Sequence, residues 1–569
     1  PVFIFGSTPI LVPEGDATEL TIALSEDPQQ AVEITVSQVG GDSDIAVVSG
    51  SVLLFSSSNW WIAQTVTLAA SHDADFSNGV AWIEIHSDTV GTMVAAATEV
   101  DVDPPPSRLY VDRNATGTND GTSWTNAFRE LRDALAALAS LGNPATEIWV
   151  AQGIYTPVPV GGSRTGSFRL SSGLELYGGF AGLLSVTYPG GETEREQRNP
   201  LSNPTVLSGD VLANDGPNWA NISDNSYHVM DCSEADSTAV LDGFVIQGGN
   251  ANGASSFSFG GGLFGLACSP IVRQCSLIQN RAAWGGGAYF GNASSPLLSW
   301  CRFLGNLAYN GRGGGFYAQT DGFPVLANCL FSANSASREG GGIHCRTRTD
   351  MSLYNCTLTA NSAASLSGGI YAESPVRIWN SVLWGNSLGT LVNQATQLYR
   401  TTTYQVNYSC IQGWTGSLGG AGNIGDDPRF GNPVGADGVG GTWDDDTRLG
   451  PGSPCIDAGR NNDVPAWLTT DLAGNPRFRD DPSVLDTGDG ISPIVDIGVY
   501  EAPPRQGVLV TSDPVYVREG DEATLGVALS EDPGGAVEVA VAVDSGDPDI
   551  SIVSPSSLFF DSQNWATPQ

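Results

Sequence analysis

The sequence predicts an all-β protein built around a right-handed parallel β-helix (solenoid), with flanking β-sandwich domains and one N-terminal capping helix. Three observations predict this fold class. A unit of about 27 residues recurs between Gly260 and Asn386. The units contain short apolar strands with a period of two residues rather than a helical period. A stretch near the beginning of the chain recurs 505 residues later.

Each unit contains a glycine cluster, a short strand, a polar corner, a cysteine, an apolar residue two positions later and an asparagine five positions later. The units are 25 to 28 residues apart, which is too short for a propeller blade. One coil cannot bury its apolar face alone, but coils stacked about 4.8 Å apart share a continuous core. The three columns are Cys275, Cys301, Cys329 and Cys356, with Ser381 in the fifth unit; Leu277, Phe303, Phe331, Leu358 and Leu383; and Asn280, Asn306, Asn334, Asn361 and Asn386.

Residues 1–103 are predicted to form a β-sandwich, because short apolar alternations are separated by turn residues such as Glu26-Asp27-Pro28. Residues 104–107 begin with three prolines and are predicted to be a stiff linker. The strands predicted in the sandwich are Glu19–Leu24, Val32–Val36, Ser51–Phe55, Thr65–Ala69 and Val80–Ile85.

The first sandwich recurs at the other end of the chain. Residues 7–64 align without a gap to residues 512–569, and 30 of the 58 positions are identical. Residues 506–569 therefore form an incomplete second sandwich repeat, which alone would expose strand edges and an open core. Two explanations stay open: the chain is a window from a longer tandem array, or another chain completes the domain.

Residues 108–386 are predicted to form the β-helix, with the capping helix near 123–141. Ser123 or Thr125 can cap this helix, and its position before the first coils suits it to cover the open end of the solenoid. Residues 387–503 are less regular and rich in Asp and Pro, so they are predicted to be an Asp-rich C-terminal cap. One face of the helix is apolar: Phe128, Leu131, Leu135 and Leu138.

The composition indicates a soluble extracellular protein. The formal net charge is -37, and all 24 basic residues are arginine. Nucleic acids and anionic membranes require basic patches, so neither is expected as a partner. The longest apolar stretches fall short of about 18 residues, so membrane insertion is not expected either. Four of the nine cysteines share one column and are predicted to be stacked, buried thiols; Cys410 and Cys455 are the expected pair if a disulfide exists.

Motifs along residues 108–502 resemble those of bacterial right-handed parallel β-helix surface proteins of the pectate-lyase-like, choice-of-anchor or polymorphic outer-membrane type. The sandwich resembles the immunoglobulin-like or Calx-β-like repeats of large surface proteins. The resemblance implies surface display or a structural role, with enzymes as a minority. The motifs that carry it include Leu109-Tyr-Val-Asp, Asn119-Asp-Gly-Thr-Ser-Trp, Leu241-Asp-Gly-Phe, Pro451-Gly-Ser-Pro-Cys-Ile-Asp-Ala-Gly and Asp496-Ile-Gly-Val-Tyr-Glu.

Catalysis would require paired carboxylates or an arginine base, because the chain contains no lysine. Asp321, Asp350 and Glu373 lie six or eight residues before the cysteine column, so they are predicted to meet near one corner of three successive coils. Arg346 and Arg348 are the candidate bases. A polar, solvated corner explains the same residues more simply, so the chain is predicted not to be an enzyme.

An aromatic column follows the glycine clusters. Because the intervening residues face inward, the column is predicted to face outward and to stack from coil to coil. Such a stripe could contact a glycan or a partner, although a self-stacking ladder is the simpler interpretation. Its members are Phe264, Tyr289, Tyr317, His344 and Tyr371.

Calcium is the expected ligand, and no organic cofactor is expected. Carboxylates in short glycine-rich loops offer the oxygen ligands that Ca²⁺ prefers, although these loops do not match the EF-hand spacing. Solvated, mutually repelling acids are the alternative. The candidate ligands are Asp437, Asp444, Asp445, Asp446, Asp486 and Asp489.

The predicted function is a non-catalytic structural or adhesive module of a large repetitive protein or filament at the bacterial cell surface. The expected partners are copies of itself in a filament or tandem array, together with glycans or cell surfaces. Two alternatives remain: a polysaccharide lyase or glycoside hydrolase acting on acidic glycans, and a glycan-binding adhesin.

Overall fold

The structure is a computed structural model that describes residues 1–6, 9–72, 78–100, 107–140, 146–401, 404–503, 508–510, 515, 517–529, 533–543, 547 and 549–569. The chain divides into two units. The first contains residues 1–129 and 133–147, and the second contains residues 130–132 and 148–569. Most of the predicted linker lies outside the described residues, since only residue 107 of 104–107 is described.

The first unit contains a pair of β-sheets, which confirms the strands predicted there. Burial alternates along the first six residues of Val32–Gly41, so one side chain in two enters the core there. The four-stranded sheet has the order Phe3–Phe5, Ala17–Leu24, Gln64–Ala70 and Ile45–Ser49. The five-stranded sheet has the order Ile10–Pro13, Gly91–Val100, Val80–Ser87, Val32–Gly41 and Val52–Phe55. The unit also contains the strand Arg108–Val111.

The predicted helix begins later than expected, at Leu131, and spans Leu131–Ser140. The prediction of a start near Ser123 was wrong because the preceding backbone is already engaged. The N–H of Phe128 donates to the carbonyl oxygen of Tyr110 (2.9 Å), and the carbonyl oxygen of Phe128 accepts from the N–H of Asp112 (2.8 Å). This bridge beside the strand Arg108–Val111 excludes helical hydrogen bonding at Phe128.

The second unit contains a parallel β-solenoid with four sheets, here named A to D in the order in which each coil visits them. Sheet A contains Thr146–Ala151, Leu174–Phe180, Val240–Asp242, Ile271–Arg273, Leu297–Ser299, Val325–Ala327, Met351–Tyr354, Val376–Trp379 and Tyr404–Asn407. Sheet B is nine-stranded and contains Gly153–Tyr155, Thr205–Ser208, Phe244–Gln247, Ser276–Ile278, Arg302–Leu304, Leu330–Ser332, Thr357–Thr359, Val382–Trp384 and Cys410–Ile411.

Sheets C and D complete each coil. Sheet C is six-stranded and contains Asn250–Ala251, Arg281–Ala282, Leu307–Ala308, Ser335–Ala336, Ser362–Ala363 and Ser387–Leu388. Sheet D is eight-stranded and contains Phe168–Arg169, Met230–Asp231, Leu263–Leu266, Ala288–Gly291, Phe316–Ala318, Ile343–Cys345, Ile370–Ala372 and Leu398–Arg400.

The remaining helical segments of the second unit are short, and neither α-helix of the described residues is long and apolar enough to cross a membrane. The second α-helix is Gln394–Gln397. The 3₁₀ turns are Gly182–Leu184, Arg195–Gln197, Pro217–Trp219, Ser255–Ser258 and Asn461–Asp463. A two-stranded sheet pairs Phe430–Asn432 with Asp446–Leu449.

The three predicted columns form the interior of the solenoid. The apolar column lies in register along sheet B, where the rings of Phe303 and Phe331 stack 4.4 Å apart. The cysteine column is fully buried with free thiols, and the Sγ of Cys301 donates to the carbonyl oxygen of Val272 (3.5 Å). The predicted thiol stack is therefore confirmed, and Cys410 and Cys455 are also free thiols.

The asparagine column forms a buried hydrogen-bonded ladder. At Asn334, the Nδ2 group donates to the carbonyl oxygen of Phe303 (2.8 Å) and to Oδ1 of Asn361 (2.9 Å). Its Oδ1 accepts from the main-chain N–H of Asn306 (3.0 Å) and from Nδ2 of Asn306 (2.9 Å). Gln397 accepts from Asn386 and so continues the ladder. One side chain thus joins three coils.

The predicted end of the β-helix at residue 386 was wrong, because residues 387–411 still pair with the preceding coil in all four sheets although the glycine cluster is no longer present. Two later parts of the segment predicted as a C-terminal cap (387–503) bond to the solenoid. Residues 419–426 bond to the last coil, as when the N–H of Ile411 donates to the carbonyl oxygen of Ile424 (2.9 Å). Residues 446–502, here named the strap, cover the outer face of sheet B, with Leu472 and Val499 packed among its outward-facing residues. The strap therefore lies along the side of the solenoid rather than across its end. Those residues of sheet B include Val245, Ile278, Leu304 and Leu330.

The C-terminal repeat preserves strand pairs of the first sandwich. Val508–Val510 pairs with Val527–Leu529, and Val537–Ala540 pairs with Ser557–Phe560. At the offset of 505 these pairs correspond to Phe3–Phe5 with residues 22–24, and to residues 32–35 with Val52–Phe55. The repeat therefore forms the same local pairings as the first copy.

Candidate functional site

A groove with a volume of about 500 Å³ lies beside sheet B. Its floor is formed by residues at the ends of the sheet B strands, and its walls are two loops, residues 210–222 and 439–442. The chain between Thr205–Ser208 and Phe244–Gln247 is longer than a regular coil, and this extra length supplies the first wall. The polar and aromatic lining residues are Ser208, Asp210, Asp215, Asn218, Trp219, Gln247, Gln279 and Thr442.

Two carboxylates line the groove. The oxygens of Asp210 accept from the main-chain N–H groups of Asn214 (3.1 Å) and Asp215 (3.0 Å), so this side chain holds the loop. Asp215 accepts from Nδ2 of Asn225 (2.7 Å). Desolvation, together with the carboxylates of Asp210 and Asp224, raises the pKa of Asp215 to about 6, although the residue is exposed in part.

The groove combines an aromatic ring with amide, hydroxyl and carboxylate groups. The half-buried Trp219 lines the groove together with Gln247, Gln279 and Asp215. Sugar rings offer apolar faces for stacking and hydroxyl groups for hydrogen bonds with amides and carboxylates. Sequence reasoning did not identify this site, but the departure from the 25-to-28-residue spacing between Thr205 and Phe244 was a signal that could have located it.

The predicted catalytic acids lie at the expected corner, between sheets D and A on successive coils. Each one contacts an arginine. Asp321 pairs with Arg348 (2.9 Å), and Asp350 pairs with Arg377. Glu373 accepts from Oγ1 of Thr347 (3.2 Å) and lies 3.8 Å from Nη1 of Arg312.

The other candidate base, Arg346, lies beside the aromatic column. Burial raises the pKa of the Tyr317 hydroxyl, and the positive charge of Arg346 offsets part of this rise. Arg346 and Arg348 therefore contact a phenol and a carboxylate respectively, within the coil surface. Such contacts are typical of a corner whose acidic and basic side chains pair with one another.

The aromatic column stacks from coil to coil, but the prediction that it is exposed was wrong. The ring centroids of Tyr289 and Tyr317 lie 5.3 Å apart, and those of Tyr317 and His344 lie 4.8 Å apart. Both ring faces of these residues are thus covered by neighbouring rings, and Phe259, Leu266 and Trp284 pack against the stack. Phe264, Tyr289, Tyr317 and His344 are buried, and only Tyr371 is partly exposed. The stack continues to His228 at one end and Tyr399 at the other.

His344 is fully buried in this stack, and its ring nitrogens make no hydrogen bond in the described structure. Burial, together with the charges of Arg312 and Arg346, lowers the pKa of His344 well below its ordinary value. The imidazole is therefore neutral and serves as a flat ring between Tyr317 and Tyr371.

Most of the predicted calcium ligands form hydrogen bonds or ion pairs with other groups of the protein. Asp444 accepts from the N–H groups of Ala436 (2.5 Å) and Asp437 (3.2 Å). Asp445 accepts from the N–H of Gly441 (2.5 Å), a position that shapes the wall of the groove. Asp446 pairs with Arg448 (2.8 Å), and Asp489 pairs with Arg460 (3.2 Å). These five carboxylates, Asp437 included, are not gathered into one cation site.

Asp486 is the exception among the predicted ligands. One oxygen of Asp486 lies within 4.8 Å of oxygens from Asp457 and Asp480, and this is the one such group of acids or other ligand residues among the described residues. Sequence reasoning placed Asp480 in the same acidic stretch as Asp486 but missed Asp457 as their partner. Asp457 and Asp480 lie in different turns of an irregular segment, where no periodicity relates sequence distance to spatial distance.

Comparison with known proteins supports the handedness and the fold. The family model described as "Right handed beta helix region" matches residues 215–383, which include the regular coils of sheets A to D. The solenoid is a right-handed β-helix. No curated protein matches the chain.

Proposed function

We propose that this chain is a non-catalytic extracellular module that gives rigidity to a large repetitive protein or filament of the bacterial cell surface. The asparagine ladder is the observation that carries the proposal, because it joins successive coils through buried side-chain hydrogen bonds. The aromatic stack is a second continuous contact between the same coils. A solenoid whose coils are joined by both the asparagine ladder and the aromatic stack resists local opening of single coils, as a structural rod requires.

The repeated sandwich supports a tandem array. Residues 508–569 form the same strand pairs as the first copy at an offset of 505 residues. We propose that the partners are further copies of the same modules, in cis or in trans, together with cell surfaces. The net charge of -37 would keep such an array soluble and disfavour binding to nucleic acids and anionic membranes.

The ion pairs at the corner between sheets D and A support the non-catalytic part of the proposal. A general acid or base must present its carboxylate to a substrate. Asp321 and Asp350 instead face Arg348 and Arg377, and Glu373 lies beside Arg312. These arginines neutralise the carboxylates that the sequence offered for catalysis.

The structural role is tested by immunogold electron microscopy of the cells that produce the protein, with an antibody raised against the solenoid. We expect gold particles at regular spacing along surface filaments, and no labelling of cells from which the coding sequence has been deleted. Labelling confined to the cell interior, or scattered without spacing on the surface, would contradict the proposal. Release of unsaturated or reducing ends from acidic polysaccharides by the purified chain would favour a lyase or hydrolase instead.

A second function, glycan binding, is favoured by the groove beside sheet B. Trp219, Asp215, Gln247 and Gln279 offer an aromatic face and three polar groups within one groove. A polysaccharide chain could lie in it and make the module adhesive. An aromatic stacking contact contributes about 0.5–1.5 kcal/mol, so its loss weakens binding by up to about tenfold.

The matched test is a glycan array followed by titration calorimetry with Trp219→Ala and Phe323→Ala. Phe323 is an exposed aromatic residue outside the groove, so its replacement controls for loss of a surface ring. We expect weaker glycan binding in the Trp219 variant alone. Equal affinities in both variants would place glycan binding elsewhere, and hydrolysis that is lost in Asp215→Asn would make the groove an active site.

A further inference from the structure

A loop of the strap, residues 480–488, is wrapped around Asp457. The carbonyl oxygen of Asp457 accepts from the N–H groups of Thr487 (2.9 Å) and Gly488 (3.0 Å) at one end of the loop. At the other end, Oδ2 of Asp457 accepts from the N–H of Asp481 (3.4 Å). Both ends of the loop are thus bonded to one residue, and this brings Asp480 and Asp486 close to its carboxylate.

Three carboxylates converge inside this loop. Oxygens of Asp457, Asp480 and Asp486 all lie within 4.8 Å of one another. Asp457 is fully buried, Asp480 is half-buried and Asp486 is exposed, so the cluster extends from the interior to solvent. Mutual repulsion at such distances disfavours three ionised carboxylates unless a cation lies among them.

Asp457 gives an observation independent of the clustering. Its Oδ1 atom is buried and has no hydrogen-bond partner in the described structure. A buried polar atom without a partner costs about 1–3 kcal/mol, so native proteins rarely leave one. The two oxygens of the neighbouring Asp496, by contrast, accept from the N–H groups of Asp457 (2.7 Å) and Ala502 (2.7 Å).

The surrounding arginines are engaged elsewhere. Arg477 is fully buried and pairs with the buried Glu501 (2.9 Å). Arg460 pairs with Asp489 (3.2 Å). The neighbourhood of Asp457 also contains buried Asp481 and Asp496, so negative groups outnumber positive ones there. Buried charges are normally paired or bound to a metal, and this surplus favours a bound cation.

We propose that Asp457, Asp480 and Asp486 bind a calcium ion. All three ligands are carboxylates, and hard oxygen donors on a short loop suit Ca²⁺, which accepts flexible geometry and completes its coordination with water on the exposed side. Zinc would favour histidine or cysteine ligands. The proposal holds whether or not the chain is a structural module.

A cation at this position would hold the loop 480–488 against the part of the strap that contains Asp457. That part packs on the solenoid, because Cys455, Ile456 and Ala458 share a core with Val382 and Cys410 of sheet B. Calcium binding should therefore stabilise the attachment of the strap to sheet B.

The test uses the whole chain, freed of metal with a chelator and titrated with CaCl₂ by calorimetry. We expect one saturable Ca²⁺ site in the wild type, affinity at least tenfold weaker in Asp486→Asn and Asp480→Asn, and a higher unfolding temperature with Ca²⁺. The matched control is Asp437→Asn, an exposed aspartate of the acidic loop, which should bind Ca²⁺ as the wild type does. Asp486 is exposed, so its variant should fold, and circular dichroism checks this.

Two results would overturn the proposal. One is absence of saturable Ca²⁺ binding to the folded wild-type chain. The other is binding that is unchanged in Asp486→Asn and Asp480→Asn, or that is lost in Asp437→Asn instead. Competition with Mg²⁺ in the same titration tests the choice of metal, because a site built for Ca²⁺ should keep its preference in millimolar Mg²⁺.

Discussion

Replacing one asparagine of the ladder should destabilise the solenoid strongly. In Asn334→Ala the side chain that bonds to both neighbouring coils is lost, together with four hydrogen bonds. The main-chain N–H of Asn306 and one N–H of its Nδ2 group then remain buried without a partner, whereas the Oδ1 of Asn361 still accepts from the main-chain N–H of residue 334. Each buried group left unsatisfied costs about 1–3 kcal/mol, so we expect the free energy of unfolding to fall by about 3–5 kcal/mol.

The assay is urea denaturation followed by circular dichroism, combined with hydrogen exchange at the amide of Asn306. Exchange is needed because a solenoid can open locally without unfolding as a whole. The matched control is Asn310→Ala, at an exposed position of the neighbouring coil that contains Asn306, which should change stability by less than about 0.5 kcal/mol. The reasoning would be refuted if the two variants lost equal stability, or if exchange at Asn306 were unchanged in Asn334→Ala.

Three further predictions follow from buried groups. A thiol reagent should label none of the nine cysteines in the native chain and all nine in urea, whereas rapid native labelling would contradict the buried thiol stack. Arg477→Met should lower the free energy of unfolding by about 3–5 kcal/mol, measured by urea denaturation, because it leaves Glu501 buried without its charge partner; Glu501→Gln together with Arg477→Met should recover part of the loss. The pKa of His344 is lowered in the folded chain, so only the unfolded chain takes up its proton near pH 6.5, and stability must fall as the pH drops below that value. His344→Phe should keep the ring stack and lose less stability than the wild type between pH 7 and pH 5, and parallel losses would contradict this assignment.

The interior of the solenoid could be predicted from the sequence because each inward position repeats once per coil. Parallel strands in register place equivalent residues one above another, so a fixed spacing in sequence becomes a fixed position in space. The columns through Cys301, Phe303 and Asn306 were predicted on this basis. The same periodicity correctly predicted that Asp321, Asp350 and Glu373 lie at one corner of successive coils.

The outer surface could not be predicted in this way. Alternation along sheet D correctly placed the aromatic column on the outer side, but its burial depends on Phe259 and Trp284, which lie outside the repeat. The position of the strap depends on contacts far apart in sequence, such as Nε1 of Trp300 with the carbonyl oxygen of Thr470 (3.0 Å). The start of the helix depended on Phe128, where strand bonding outweighed the local capping signals.

The corner between sheets A and B explains how the strap is aligned with the coils. The residue before each position of the cysteine column has a positive φ, close to +50° in Asn328, Asn355 and Asn380, and asparagine tolerates this conformation well. The same side chains bond to the strap: Asn328 donates to Thr470, Asn355 to Asp496 and Asn380 to Arg460. In these three coils the turn thus holds a residue type that tolerates the conformation and also offers an outward amide. Because successive coils contribute one such amide each, sliding of the strap along sheet B would break all three contacts together, and this fixes its register.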